Sequence, residues 1–171
     1  MEVFITSRRL VRLEIPEFKP TEVISIVDPE DDYLEFHLSK ETSALQMKFQ
    51  DLCFEPVSEY DIARYLPPTK SMIKTIIKYG EHNLREDSRL LVHCFAGISR
   101  SSAAAIIAMI PLLGPEEAVK RVMAFEVHRG DDIFEPGYSW FLPNNLMVKY
   151  ADEELGLAGR LVKLTESSFN Y

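Results

Sequence analysis

A short apolar run, Leu90-Leu91-Val92, passes without interruption into His93-Cys94-Phe95-Ala96-Gly97-Ile98-Ser99-Arg100-Ser101-Ser102 and then into the helix-favouring Ala103-Ala104-Ala105-Ile106-Ile107-Ala108. Buried strand, tight loop and helix in that order leave few architectures open. Val3–Thr6 and Val23–Val27 are two more apolar runs of strand length, while Leu45, Met47 and Phe49 alternate with Gln46 and Lys48 as in a half-exposed strand. Helical spacing lies between and after them. Met72, Ile73, Ile76 and Ile77 share one helix face after Pro67-Pro68, and Val119, Val122 and Met123 share another after Gly114-Pro115, with Glu116 and Glu117 in the first turn. A further helix is expected after Pro143, through Leu146, Tyr150 and Ala151. Strands alternating with helices predict an α/β fold with a mainly parallel central sheet flanked by helices. Ligand sites in such sheets form beyond the carboxyl ends of the strands, and the end of Leu90–Val92 is such a place.

Composition narrows the partners. A chain of 171 residues, 46% hydrophobic and 27% charged, suits a single domain with a sizeable core, and no repeat or linker-like tract divides it. We expect one domain over residues 1–171, folded from Met1 to about Leu157, with the tail after Gly159 either a short helix or loose. A formal net charge of −8 argues against nucleic acid or an anionic membrane as partners attracted by the whole-protein field. Any bound anion has to be held locally. Met1-Glu2-Val3-Phe4 does not open a secretory signal, and the run Ala103–Leu113, which contains Pro111, is too short to span a bilayer. Two cysteines, Cys53 and Cys94, are too few for a disulfide framework and fit a reducing compartment, so a cytoplasmic location is expected.

A loop that wraps toward the start of a helix aims several backbone N–H groups at one point, and the positive end of the helix dipole adds to them. The result is an anion cradle. Gly97 permits the backbone angles that such a turn needs. A thiol at its mouth is expected to ionise readily, since settings of this kind lower a cysteine pKa from about 8.5 to roughly 3.5–7.5. Arg100 offers a planar fork of donors able to bind two phosphoryl oxygens at once, which a lysine cannot do.

In these residues the chain resembles the protein tyrosine phosphatases, whose motif is His-Cys, two variable residues, Gly, two variable residues, Arg, then Ser or Thr. His93, Cys94, Gly97, Arg100 and Ser101 meet all five fixed positions, and Ala96-Gly97-Ile98-Ser99-Arg100-Ser101 is similar to the compact dual-specificity and bacterial branch. The similarity extends more weakly from Leu45–Asp51 to Pro143-Asn144-Asn145. It implies a phosphatase-type three-layer fold and hydrolysis of phosphotyrosine in protein substrates, with phosphoserine and phosphothreonine as further candidates. The implied reaction has two steps, through a phosphocysteine, with no metal and no other cofactor. Cys94 is then the nucleophile, Arg100 the phosphate clamp, and Phe95, Ala96, Gly97, Ile98 and Ser99 the rest of the phosphate loop. Ser101 would help release the thiolate, and His93 would orient the cysteine from behind. By themselves, Ser101 also reads as a helix-cap residue and His93 as a hydrogen-bonded core histidine.

The resemblance also calls for an Asp on a loop after an upstream strand, to protonate the departing oxygen. Asp51 ends the Leu45–Gln50 strand, as that order requires. Asp61 has the more usual separation from Cys94 but follows no strand. Element order favours Asp51, because an insertion after it is absorbed in a surface loop. Cys53, two residues further on, is a candidate to trap an oxidised Cys94 as a disulfide.

Other features are read more simply. Asp28, Glu30, Asp31 and Asp32 form an acidic stretch with the look of a solvated loop. His37, His82 and His128 are scattered, with no zinc-like spacing. Trp140 and Phe141 are expected to pack, Tyr138–Phe141 is an alternative groove lining, and Tyr60 and Tyr65 are candidates to flank a substrate ring. Two competing functions use the same loop: a phosphoinositide or RNA 5′-phosphatase, and a catalytically silent phosphopeptide-binding module. The variable loop positions hold Phe95, Ala96, Ile98 and Ser99 rather than lysines, so additional phosphates would find few partners.

Overall fold

Four strands run parallel in the computed structural model, which describes residues 1–36, 38–56, 58, 64–125 and 141–168. They are β1 (Glu2–Ser7), β2 (Glu22–Val27), β3 (Ser43–Lys48) and β4 (Arg89–Cys94), in the spatial order β1-β4-β2-β3. The last of the described strands, β4, is therefore inserted between the first two. Glu2 pairs with Arg89 and Ser7 with Cys94 on one side, and Glu22 pairs with Leu90 on the other. Every residue of β2 is buried, as a parallel strand covered on both faces should be. At the edge, Met47 is buried and Leu45 half-buried while Gln46 stays exposed, in agreement with the alternation in the sequence.

Side chains leave the sheet toward two helical layers. Val23 and Leu91 meet α1 (Val11–Phe18) through Val11 and Ile15, with Phe4, Phe18, Leu34, Phe36 and Leu38 around them. Ile24, Ile26, Leu90, Val92 and Cys94 point the other way, into the main core. That core is built with α2 (Lys70–Asn83), α3 (Arg100–Leu113), α4 (Pro115–Met123), α5 (Asn145–Glu154) and α6 (Arg160–Ser168). The three-layer α/β arrangement is the expected one. Sequence spacing does not mark α1, because Pro16 lies inside this eight-residue helix and ordinarily reads as a breaker.

The central helix is α3, buried from Arg100 through Ile110. Its alanines let α2 come close: a Cβ added at Gly80 would lie 2.0 Å from the Ala108 carbonyl oxygen. Helix starts are capped locally. Thr69 accepts the Met72 N–H at the head of α2, Pro115 opens α4, and Asn144 accepts the Met147 N–H at the head of α5. Of the two readings for the tail, the helix is correct. In α6, Leu161 is buried, and the Asp152 carboxylate accepts the N–H groups of Gly159 at 2.6 Å and Leu161 at 2.7 Å. No described helix is long and apolar enough to cross a membrane.

Candidate active site

Parallel strands put their carboxyl ends on one edge, and four short segments meet there: Arg8 after β1, Asp28 after β2, Phe49–Asp51 after β3 and the Phe95–Ser99 loop after β4. The Arg8 N–H donates to the Cys94 carbonyl at 2.8 Å and to that of Phe95 at 3.2 Å, which ties the start of the loop to β1. Gly97 then turns with φ +74. A Cβ there would sit 2.6 Å from the Thr6 carbonyl carbon, so both the angle and the space require glycine. Phe95 and Ala96 are exposed, Gly97 is buried, and Ile98 and Ser99 are half-buried. Ser102 closes the turn by donating to the carbonyls of Ile98 and, at 3.0 Å, Ser99.

Cys94 is 1% exposed at the floor of this loop. Its Sγ receives the Gly97 N–H at 3.3 Å and lies 3.2 Å from Ser101 Oγ; the thiol donates in that pair, and a thiolate would accept from the hydroxyl. Behind it, on the α1 side of the sheet, His93 is fully buried, edge-on to Phe36 and 2.7 Å from Ser25 Oγ through Nε2. Burial pushes the imidazole down from 6.5 to about 4, and the Arg8 and Arg100 charges push the same way against a weaker opposing contribution from the Cys94 backbone. His93 is thus a neutral supporting group.

Arg100, 3% exposed, opens α3 and turns its guanidinium back across the loop. Nη1 donates to the Phe49 carbonyl at 2.6 Å and to Asp28 Oδ1 at 2.8 Å. Nε is buried with no hydrogen-bond partner, 3.9 Å from Asp51 Oδ2. A buried charged donor without a partner is costly, and an oxyanion in the loop would satisfy it. Asp51 itself is well anchored: its Oδ1 accepts the Ser99 hydroxyl at 2.7 Å and the Asn144 amide at 2.8 Å. The expected assembly of Cys94, Arg100, Ser101, His93 and Asp51 is therefore brought together, and the rival Asp61 lies outside the described residues.

Three residues at the site go beyond the sequence reading. The acidic stretch is not simply a solvated loop: Asp28 pairs with Arg100 and Asp31 with Arg8, because the turn after β2 abuts the loop after β4. Asn144 is more than a helix cap. Besides Asp51, its amide nitrogen donates to the Leu52 carbonyl at 3.0 Å and meets Cys53 Sγ at 3.6 Å, while its own N–H donates to the Ser99 carbonyl at 3.2 Å. The Pro-Asn-Asn helix start was the only signal for it.

Cys53 and Cys94 are both free. Burial and the Asp51 charge push the Cys53 thiol up, while the Asn145 backbone and the Ser99 hydroxyl act against that shift. Tyr65 lies under the Arg64 guanidinium, next to Leu66, whose backbone pairs with Gln50. Phe141 packs as expected, 5.9 Å from Phe125. Tyr60, Tyr138, Trp140, His37 and His128 lie outside the described residues.

No family model and no curated protein matches the sequence. Solved structures do match in fold. The human tyrosine phosphatase-like serine/threonine/tyrosine-interacting protein is similar with a TM-score of 0.58 at 18% identity, over 91% of this chain and 92% of that one. Human DUSP28 gives 0.58 at 15% identity, over 92% and 94%. Cydia pomonella PTP-2 phosphatase gives 0.55 at 16% identity, over 90% and 85%. The chain has the fold of the dual-specificity-like phosphatases of the protein tyrosine phosphatase superfamily.

Proposed function

We propose that the chain is a protein phosphatase that hydrolyses phosphotyrosine through a phosphocysteine on Cys94. One observation carries this reading: the buried Arg100 guanidinium presents an unpartnered Nε on the same loop whose Gly97 N–H reaches Cys94 Sγ. A loop with that donor set holds a phosphoryl dianion against the sulfur. Cys94 thiolate attacks phosphorus as the bond to the ester oxygen breaks, and that oxygen takes its proton from Asp51. Asp51 Oδ1 is held by Ser99 and Asn144, which leaves Oδ2 to carry the proton. In the second step water attacks the phosphocysteine and gives a proton back to Asp51. Cys94 leaves as thiolate with the Ser101 hydroxyl 3.2 Å from its sulfur, and inorganic phosphate is released.

Phosphotyrosine is favoured over polyphosphorylated lipids because the loop carries Phe95, Ala96, Ile98 and Ser99 where lysines would serve additional phosphates. Phe95, Leu66 and Leu142 are exposed apolar side chains near the loop, β3 and α5 ends that form the site, and they suit an aromatic ring. Two free cysteines fit a reducing, cytoplasmic setting.

Turnover of para-nitrophenyl phosphate and of a phosphotyrosine peptide, without added metal, by wild type and Cys94→Ser tests the reading. Wild type should hydrolyse both, and the variant should bind phosphate without turnover. Substantial hydrolysis by Cys94→Ser sinks the mechanism, and phosphopeptide binding without wild-type turnover makes the chain a binding module. A phosphoinositide hydrolysed faster than every phosphopeptide overturns the substrate class.

A further inference from the structure

We infer that Asp28 is a positioning residue that decides which edge of the Arg100 guanidinium faces the ligand; this rests on the phosphatase reading. Both Nη1 hydrogens are occupied, one by Asp28 Oδ1 at 2.8 Å and the other by the Phe49 carbonyl at 2.6 Å. Two acceptors in different directions fix the plane of the guanidinium as well as its distance. With Nη1 committed, the edge made by Nε and Nη2 remains for bidentate contact with an oxyanion, and Nε is the buried donor that lacks a partner.

The Asp28 carboxylate reaches this place because β2 ends one residue earlier, beside β4. The turn that follows is held by backbone, with the Asp31 N–H donating to the Asp28 carbonyl at 3.0 Å. Removing the carboxylate therefore leaves the turn its own hydrogen bond. Asp28 also places a negative charge close to where a dianion binds, so an orienting oxygen without the charge should serve binding at least as well. That separates orientation from charge in a single substitution.

The experiment compares wild type, Asp28→Ala and Asp28→Asn, reading inhibition by orthovanadate and inorganic phosphate together with kcat/KM for a poor and an activated leaving group. Asp28→Ala should weaken vanadate and phosphate by about 10- to 100-fold and lower kcat/KM by a similar factor for both leaving groups, as expected for a charge-assisted hydrogen bond to the clamp. Asp28→Asn, which keeps an accepting oxygen, should bind both anions as tightly as wild type or more so. Thermal unfolding in parallel identifies any loss that is only a loss of folded protein. Anion binding by Asp28→Ala equal to that of wild type overturns the assignment, as does an Asp28→Asn variant as impaired as Asp28→Ala. Wild type that neither binds vanadate nor turns over substrate brings down the phosphatase reading itself, and this inference with it.

Discussion

Acidification should expose a single buried side chain, His93, as a large term in the stability of the fold. Its imidazole is held near pKa 4 by burial, against 6.5 in an unfolded chain. Because the folded pKa is the lower one, the folded state binds fewer protons between those values and the unfolded state is stabilised by protonation there. The contribution is fully present above about pH 6.5 and is lost as pH falls toward 4. At about 1.36 kcal/mol per pKa unit, the loss is about 3 kcal/mol, a large part of the roughly 5–15 kcal/mol that holds a domain together. Carboxylates titrate over the same range, so the assay has to isolate the histidine. Urea unfolding of wild type and His93→Gln at several pH values between 7.5 and 4 does so, since the amide keeps a polar group facing Ser25 but does not titrate. The stability difference between the two proteins should shift by about 3 kcal/mol in favour of His93→Gln as the pH falls. A difference that stays constant from pH 7.5 to 4 would refute the argument that the imidazole is buried and neutral.

Two further outcomes follow from the geometry. Asp51→Asn should slow hydrolysis of poor leaving groups by about 10²–10⁴-fold and activated ones much less, removing one limb of the pH–rate profile; the assignment fails if Asp61→Asn does this and Asp51→Asn does not. Gly80→Ala should lower the urea midpoint by the equivalent of at least about 1–3 kcal/mol, because its Cβ would lie 2.0 Å from a backbone oxygen of α3, and wild-type stability in that variant would mean the helices are not in such close contact.

Much of the site was legible because its chemistry is local. From Leu90 to Ala108 the chain specifies strand, turn and helix by short-range pattern alone, and Gly97 marks a place where a side chain would meet Thr6. The position of Asp51 beside the loop was legible through element order. Asp28 was not, since nothing in Asp28, Glu30, Asp31 and Asp32 distinguishes a carboxylate facing a buried arginine from its solvated neighbours. Only the placement of β2 beside β4 makes that distinction. Asn144 shows the same limit: its capping of α5 can be read from Pro143-Asn144-Asn145, whereas its hold on Asp51 joins residues 93 positions apart. In α1, the tertiary contacts of Val11 and Ile15 outweigh a proline that local preference counts against helix.

The strand order carries a consequence for how the molecule is made. β1 and β2 are synthesised first, yet they are not neighbours in the sheet; β2 can pair with β3, whereas β1 has no strand partner until β4, whose first residue pairs with Glu2 from 87 positions downstream. A nascent chain that has not yet released Arg89–Cys94 from the ribosome leaves β1 without a strand partner and β2 open on the side that β4 covers. Such edges are templates for pairing with other chains, so the interval before β4 emerges is the period of greatest exposure to aggregation and to chaperone capture. The strand that completes the pairing ends in Cys94. Closure of the sheet and assembly of the Phe95–Ser99 loop are therefore one event in the life of the chain, and a ribosome-bound fragment that stops short of β4 cannot form the loop at all.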